Sequence, residues 1–495
     1  MSRSLHRVVP ALSLLALSVL VSCAEGPTEL VRRMTPQSAR LVAAPSAATE
    51  YIVLAKGNGF SADFDSTISR LGGTVQTLHQ GAGIAVVSGL SDDAAAQLTR
   101  NSDVADVQAD EIVTLDAPLA AANADAPAIS DPSASSVLNP AAGARFIWQW
   151  NMLAISAPQA WAAGGLGDPG VTVAILDTGI DYDDPDLNGL VDLSRSVSFI
   201  TSDNQLRAQF FPTRHDISDF NAHGTNVASQ VSSKAVVFAG VTSRTTLIGV
   251  KVLGRTGSGP LGAILNGVLW AADHGADVAN MSLGGAFAKP GAGRLTSIIN
   301  RVFNYAKRRG MLIVVAAGNE SADLDHNGSI ASTFCDMVHV VCVSAIGGSL
   351  ATGPVDTPSF YTNFGRSAIS VAAPGGNAEF DANGGLIPSA WPWGTDIASW
   401  VWSFCSKTRI AGLTQTGAPV LTSCVAGNRL LGFIGTSQAS PHVAGLAALL
   451  VSTKGHGRPE QIKHFIEQSA DDLGQPGTDP FFGRGRINVA RALAF

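Results

Sequence analysis

Val171-Thr-Val-Ala-Ile-Leu-Asp-Thr-Gly-Ile-Asp181 sets an aliphatic, β-branched run directly against an acidic turn. A run with no polar face reads as a strand buried on both sides, as in a parallel sheet. The pattern recurs in Leu247-Ile-Gly-Val-Lys-Val-Leu253, Asp277-Val-Ala-Asn-Met-Ser-Leu283, Leu312-Ile-Val-Val-Ala-Ala317 and His339-Val-Val-Cys-Val343, with helical periodicity between them at 261–274 and 295–309. Such alternation predicts an α/β, doubly wound fold with a mostly parallel sheet and helices on both faces. Function in that architecture gathers at the carboxyl ends of strands, where Asp177 stands.

Upstream the pattern changes. Residues 50–116 alternate short strands (from Tyr51, Ala85 and Val104) with helices at 62–71 and 91–100, predicting a small α+β domain. Residues 117–147, rich in Ala, Pro, Ser and Asp, read as a flexible linker, and 148–495 as one α/β domain. Residues 1–22 place Arg3 and Arg7 before the apolar stretch 8–21, the layout of an export signal, and 23–49 suit a polar tether. Leu20-Val-Ser-Cys23 resembles a bacterial lipobox, which implies a lipid on Cys23 and a place at the cell envelope, the outer membrane included, or outside the cell.

Composition narrows the partners. The 495 residues carry a net charge of −7 with only 14% charged side chains, which argues against a nucleic-acid partner. Beyond the N-terminus no apolar run is long enough to span a bilayer, despite a mean hydropathy of +0.21. Of five cysteines, Cys23 is the odd one. The other four are expected to pair locally, Cys335 with Cys342 and Cys405 with Cys424, the two other connectivities remaining open. With no CxxC or HExxH spacing, no metal site is expected among them.

Four polar residues sit at strand ends or helix starts: Asp177; His223, in His-Gly-Thr-Asn-Val-Ala; Asn319, in Ala-Ala-Gly-Asn-Glu; and Ser437, in Gly435-Thr-Ser-Gln-Ala-Ser-Pro-His442. Singly each reads as a turn or cap residue. Together, in the order Asp, His, Ser, they resemble the signature segments of the subtilisin-like serine proteases, the subtilase or S8 family. The resemblance covers about 148–495 and implies a serine endopeptidase with Ser437 as nucleophile, His223 as its base and Asp177 orienting the imidazole. It further implies an oxyanion hole from the Asn319 amide and the Ser437 N–H. Extended substrate would lie between Gly257-Ser258-Gly259 and Ser282-Leu283-Gly284-Gly285, with Ala317 and Gly318 along the wall of the specificity pocket. Residues 50–116 resemble the family's propeptide, an intramolecular inhibitor removed by self-cleavage between about Asp116 and Arg145. The expected partners are therefore polypeptide substrates and that propeptide, acting on a monomer that requires no cofactor.

The sequence also departs from the family. Gln438 stands where the family usually has Met, which bears on oxidant tolerance or is neutral drift. Asp186 resembles a calcium ligand, but the loop after Ser229 reads Gln-Val-Ser-Ser-Lys-Ala-Val-Val-Phe, so structural calcium is in doubt. Asp323 to Gly328 looks like half an EF-hand loop and reads better as a solvated turn. An insertion at about 377–430 holds Cys405, Cys424 and Trp391, Trp393, Trp400 and Trp402, expected to pack it on the body or to wall the cleft. An aspartic protease would need a second Asp-Thr/Ser-Gly, and an esterase elbow a Gly at position 439, where this chain has Ala; neither is present.

Overall fold

The computed structural model describes residues 50–495 apart from 58, 116–120, 126, 128–135, 285, 327, 329, 333, 349–354, 381–385, 388–399 and 426–428. The export signal, the tether, Cys23, Gly285, Trp391 and Trp393 thus lie outside the described residues.

Strand β7 (Thr172–Asp177) pairs in parallel with β9 (Thr246–Lys251) on one side and β11 (Val278–Met281) on the other. The sheet continues beyond β9 with β8 (Val197–Ser198) and beyond β11 with β13 (Leu312–Ala316), β15 (Val340–Ile346) and β16 (Val371–Pro374). All six pairings are parallel. Chain direction across the sheet switches between β7 and β11, which opens a crevice beside Asp177.

Alternation along β7 assigns its two faces. Val173 and Ile175 join Val227, Val443 and Leu446 in one core, from helices α6 (His223–Val231) and α9 (Thr436–Lys454). Ala174 and Leu176 join Leu265, Ile298 and Val302 in the other, from α7 (Leu261–Asp273) and α8 (Lys289–Arg308). Helix α8 begins earlier than the periodicity from 295 suggests. Shorter helices complete the body: α3 (Trp150–Ala154), α4 (Ala157–Ala162), α5 (Thr201–Phe210), α10 (Pro459–Gln468) and α11 (Val489–Ala494).

The N-terminal unit is an antiparallel sheet in the order β2-β3-β1-β4, from β1 (Glu50–Ala55), β2 (Thr74–His79), β3 (Ile84–Ser88) and β4 (Val104–Ala109). Its helices α1 (Phe64–Arg70) and α2 (Asp92–Leu98) cover one face, burying Tyr51, Val53 and Phe64. The opposite face, with Ile52, Leu54 and Ile84, packs into the α7/α8 core. The chain then leaves as β5 (Ile112–Thr114), paired antiparallel with β10 (Ser258–Pro260).

The linker expectation needs correction. Ala121–Asp125 forms strand β6, antiparallel to β22 (Arg429–Phe433), which also pairs with β19 (Val401–Phe404). Pro140–Ala142 and Phe146–Trp148 are short 3-10 turns, so 117–147 is not wholly irregular. Among the described residues three two-stranded ribbons remain: β12 (Ala286–Ala288) with β14 (Ile330–Ser332), β17 (Glu379–Phe380) with β18 (Leu386–Ile387), and β20 (Ile410–Leu413) with β21 (Pro419–Leu421). Within the insertion, Trp400 and Trp402 are buried in the α6/α9 core, so these two tryptophans anchor it to the body. Disulfides join Cys335 to Cys342 and Cys405 to Cys424, the local pairings expected.

Candidate active site

Asp177 ends β7 and His223 opens α6; Nδ1 of His223 lies 2.8 Å from Oδ1 of Asp177, whose carboxyl is fully buried. Gly224 permits the approach, since a Cβ there would stand 2.2 Å from the Gly179 carbonyl and 3.1 Å from Asp177 Cβ. Burial disfavours the charged imidazole. The charge and hydrogen bond of Asp177, with the charge of Asp219, outweigh that and hold the His223 pKa above the ordinary histidine value.

Asp219 is not singled out by any sequence motif, yet it organises this corner. Its Oδ1 accepts from Thr178 Oγ1, Asn221 N and Ala222 N, each at 2.9 Å; its Oδ2 accepts from Thr225 N (2.9 Å) and Thr225 Oγ1 (2.6 Å). These bonds cap α6 and tie it to the turn after Asp177. They also hold Ala222 at φ 89°, a left-handed conformation unfavourable for alanine, directly before His223. Lys251, buried at the end of β9, steadies the same loop: Nζ donates to Ser218 O (2.9 Å), pairs with Asp203 (3.0 Å) and lies over the Phe220 ring. The signal for Asp219 was present as an Asp shortly before a helix start.

Ser437 occupies the first turn of α9. Its Oγ donates to Ser282 O (3.0 Å), and no hydrogen bond to His223 is formed among the described residues. Pro441 explains the reciprocal contact: lacking an N–H, it leaves the Ser437 carbonyl without its helical donor, and Ser282 Oγ donates there instead (2.8 Å). Thr436 N and Oγ1 both donate to Asn319 Oδ1 at 2.9 Å. Because a backbone N–H must meet the oxygen, the amide orientation of Asn319 is settled, and its Nδ2 end lies towards Gly435. Gln438 is buried and donates from Nε2 to Asn226 Oδ1 (3.3 Å), while Asn226 Nδ2 donates to Val401 O and Ser403 Oγ. Gln438 therefore links α9 to α6 and to the insertion. His442, the other histidine near Ser437, is pushed by burial down to about 4, which leaves it a neutral packing residue.

Of the two segments expected to hold substrate, Ser258–Pro260 carries a piece of the chain itself. Thr114 faces Ser258, Val113 faces Gly259, and Leu115 N donates to Gly257 O (2.8 Å). Gly259 has no room for a side chain, since a Cβ would sit 2.0 Å from Val252 O. Val113 is buried in a cluster with Leu261, Ile264 and Leu283. Ala317 and Gly318 follow β13, with Asn363 Nδ2 donating to Ala317 O (2.9 Å) and Asn363 N to Gly318 O (3.0 Å).

A subtilase family model matches residues 168–485. The chain belongs to the subtilase family. It is similar to a thermophilic serine proteinase of Bacillus sp. (strain AK1), 33% identical over 332 residues that cover 66% of this chain and 63% of that protein. It is also similar to thermitase of Thermoactinomyces vulgaris, 29% identical over 356 residues, 70% of this chain and 96% of that one. The chain thus spans less than two thirds of the first relative and nearly all of the second. Among solved structures, the epidermin leader peptide processing serine protease of Staphylococcus aureus shares the fold, with a TM-score of 0.68, 20% identity, and coverage of 90% of this chain and 98% of that one. By class this subtilase is a subtilisin-like serine endopeptidase.

The residues at Asp186 do not fit a calcium ion. Its Oδ1 accepts from Val237 N (2.9 Å), its Oδ2 from Phe238 N (3.0 Å), and its main-chain oxygen from Lys234 N (2.7 Å). Gln149 Oε1 likewise accepts from Ala239 N (2.6 Å). A cation needs converging oxygens; here N–H groups converge and do its work. Burial, opposed by those amides, brings the Asp186 pKa up to about 6. Asp323 Oδ1 accepts from Asp325 N and His326 N, the hydrogen bonding of a turn rather than of a cation loop.

Proposed function

We propose that this subtilase is made as an exported precursor that cuts itself and then hydrolyses polypeptides, with Asp177, His223 and Ser437 as the catalytic triad. The observation that carries the proposal is the seating of Ile112–Thr114, a piece of the chain itself, on Ser258–Pro260 beside the Asp177–His223 pair. The 50–115 unit would then be the inhibitory propeptide and 148–495 the catalytic domain. Leu115 pairs on the β10 side and Ala121 on the β22 side, which supports a processing bond between them, within the expected stretch from about Asp116 to Arg145.

In the reaction, Ser437 Oγ turns from Ser282 O to His223, gives its proton to Nε2 and bonds to the scissile carbonyl carbon. The negative oxygen that forms is held by Asn319 Nδ2 and the Ser437 N–H; loss of one such donor typically costs about 10²–10³-fold in rate. As the C–N bond breaks, His223 passes its proton to the leaving amine, and Asp177 stabilises the imidazolium between these transfers. Water, deprotonated by His223, then releases the acyl group from Ser437. The lipobox resemblance at Cys23 supports a precursor tethered to the envelope, from which a cut beyond 115 would free the catalytic domain as a soluble monomer.

The test is labelling with a fluorophosphonate probe, mass mapping of the adduct and N-terminal sequencing of the labelled species. Label on Ser437 with a new terminus within 116–121, and an uncut Ser437→Ala chain in a protease-deficient host, are expected. Processed Ser437→Ala protein would refute self-cleavage.

A further inference from the structure

The insertion grips the segment that leads into His223. Residues 405–410 leave β19 and run against the chain just before α6. Ser406 Oγ donates to Asp219 O (2.6 Å), Thr408 Oγ1 donates to the same oxygen (3.0 Å), and Ile410 N donates to Phe220 O (3.1 Å). Between these contacts Lys407 N donates to Asp181 Oδ2 (2.6 Å), just beyond the turn after Asp177. One short stretch of the insertion thus touches both segments that carry the Asp177–His223 pair. Farther along α6, Asn226 Nδ2 donates to Val401 O (3.1 Å) and Gln230 Nε2 to Trp402 O (3.0 Å) of β19.

Asp219 therefore serves two sets of partners. Its carboxylate takes donors from α6 and the turns beside it, and its carbonyl takes two hydroxyls from the insertion. The gripping stretch is itself fastened. Cys405 is bridged to Cys424, the bridge packs with Ala222, and Ile410 packs with Leu206 and Phe220. Thr408 N donates to Ser406 Oγ (3.2 Å), a local turn that sets the two hydroxyls side by side. Ser406, Thr408 and Asp219 are all buried. A buried carbonyl without a donor is costly, and the segment it belongs to holds Ala222 at φ 89°, so a loss of grip would let that strain relax and carry His223 with it. Aliphatic side chains at 406 and 408 would fill similar space, whereas two hydroxyls converging on one oxygen also fix its direction.

We propose that Ser406 and Thr408 are positioning residues for catalysis: through the Asp219 carbonyl they hold the chain that presents His223 to Ser437. This inference rests on the peptidase reading above. The insertion thereby contributes to rate rather than to substrate affinity. Because a carbonyl oxygen has two lone pairs and both hydroxyls meet the same one, either alone keeps Asp219 O satisfied. The two side chains back each other up, and only their joint loss frees the segment.

The experiment measures kcat and KM, per Ser437 titrated with a fluorophosphonate probe, for Ser406→Ala, Thr408→Val, the double variant and Thr408→Ser. Each of the first two should lower kcat about 2–3-fold, since the other hydroxyl remains. The double variant should lose about 10–100-fold in kcat, well beyond the product of the singles, with KM within about 2-fold of the parent; misplacing a catalytic group by about 1 Å costs that order. Thr408→Ser keeps the hydroxyl and should match the parent. Folding is followed as the urea midpoint in a Ser437→Ala background. A double variant that folds but cuts its own chain about 10-fold more slowly supports the proposal equally, since self-cleavage is the same reaction. If the double variant does not fold, the singles decide, and the parent's kcat in both overturns the proposal. A folded, titratable double variant with the parent's kcat, or with its loss wholly in KM, overturns this inference and leaves the peptidase reading intact. A parent enzyme whose Ser437 takes no label overturns both.

Discussion

Replacing Asp219 by Asn tests whether this buried carboxylate positions His223, the proposed base. The change preserves shape but puts an NH2 group where one oxygen was, and every partner of Asp219 is a donor. If the NH2 end faces Thr225, the hydroxyl can turn to accept, but the Thr225 N–H loses its acceptor. One buried N–H left unpaired costs about 1–3 kcal/mol, and removing the charge from the remaining bonds about 1–2 kcal/mol more. Asp219→Asn should therefore destabilise the chain by about 2–5 kcal/mol, read as a lower urea midpoint in a Ser437→Ala background where no self-digestion interferes. A second readout separates positioning from mere stability. Asp219 helps hold the His223 pKa up, so removing its charge lowers that pKa, and the free base needed for catalysis appears at lower pH. The acid limb of kcat/KM should move acidward. A midpoint within about 0.5 kcal/mol of the parent, the range of an ordinary surface change, together with an unmoved acid limb would refute the reasoning.

Other perturbations probe the supports of the site. Asp110 accepts from Gly262 N at the start of α7 (3.0 Å), and burial, against the Gly262 and Leu261 amides, carries its pKa to about 7. A raised carboxyl favours the docked state below its ordinary pKa of 3.8, and that contribution is lost as pH rises through about 7. Protection factors of β10 amides in the Ser437→Ala chain should thus fall from pH 4 to 7, and Asp110→Asn should flatten the fall. Asp186→Ala removes two hydrogen bonds to a charged group and should cost about 3–5 kcal/mol in urea unfolding; a chelator should leave exchange at Val237 and Phe238 unchanged. Replacing Cys405 and Cys424 by Ser opens a loop of sequence separation 19 and should cost about 3 kcal/mol. It should also lower kcat, because the bridge packs behind Ala222 and Phe433.

What was legible in the sequence was local. The run ending in Asp177 carries its burial in its composition, and glycines and small residues around His223 and Ser437 mark places where backbones approach closely. Strand β6 could not be read that way: Ala-Ala-Asn-Ala-Asp has neither alternation nor β propensity, and becomes a strand only because β22 offers it an edge. Nor could the role of Lys251: its partner Asp203 belongs to a helix with no sequence link to β9. At Asp186 the sequence already set the familiar form of its own segment against the altered loop after Ser229; that amides of this loop take the place of the ion is decided by tertiary position. Local chemistry was visible, and pairings decided by tertiary position were not.

Cutting the chain changes the fate of the 50–115 sheet, because its two faces are covered differently. Among the described residues, one face is covered by the unit's own helices and the other by α7 and α8. Once the chain is severed between 115 and 121, the unit is held by a bimolecular equilibrium, and dilution draws it off. A domain of that size with a bare apolar face is marginally stable and opens often enough for a peptidase to degrade it. Each molecule destroyed this way lowers the concentration available to rebind. If residues 50–115 act as the proposed inhibitor, the half-covered sheet would make activation a ratchet, in which inhibition, once lifted, has no path back.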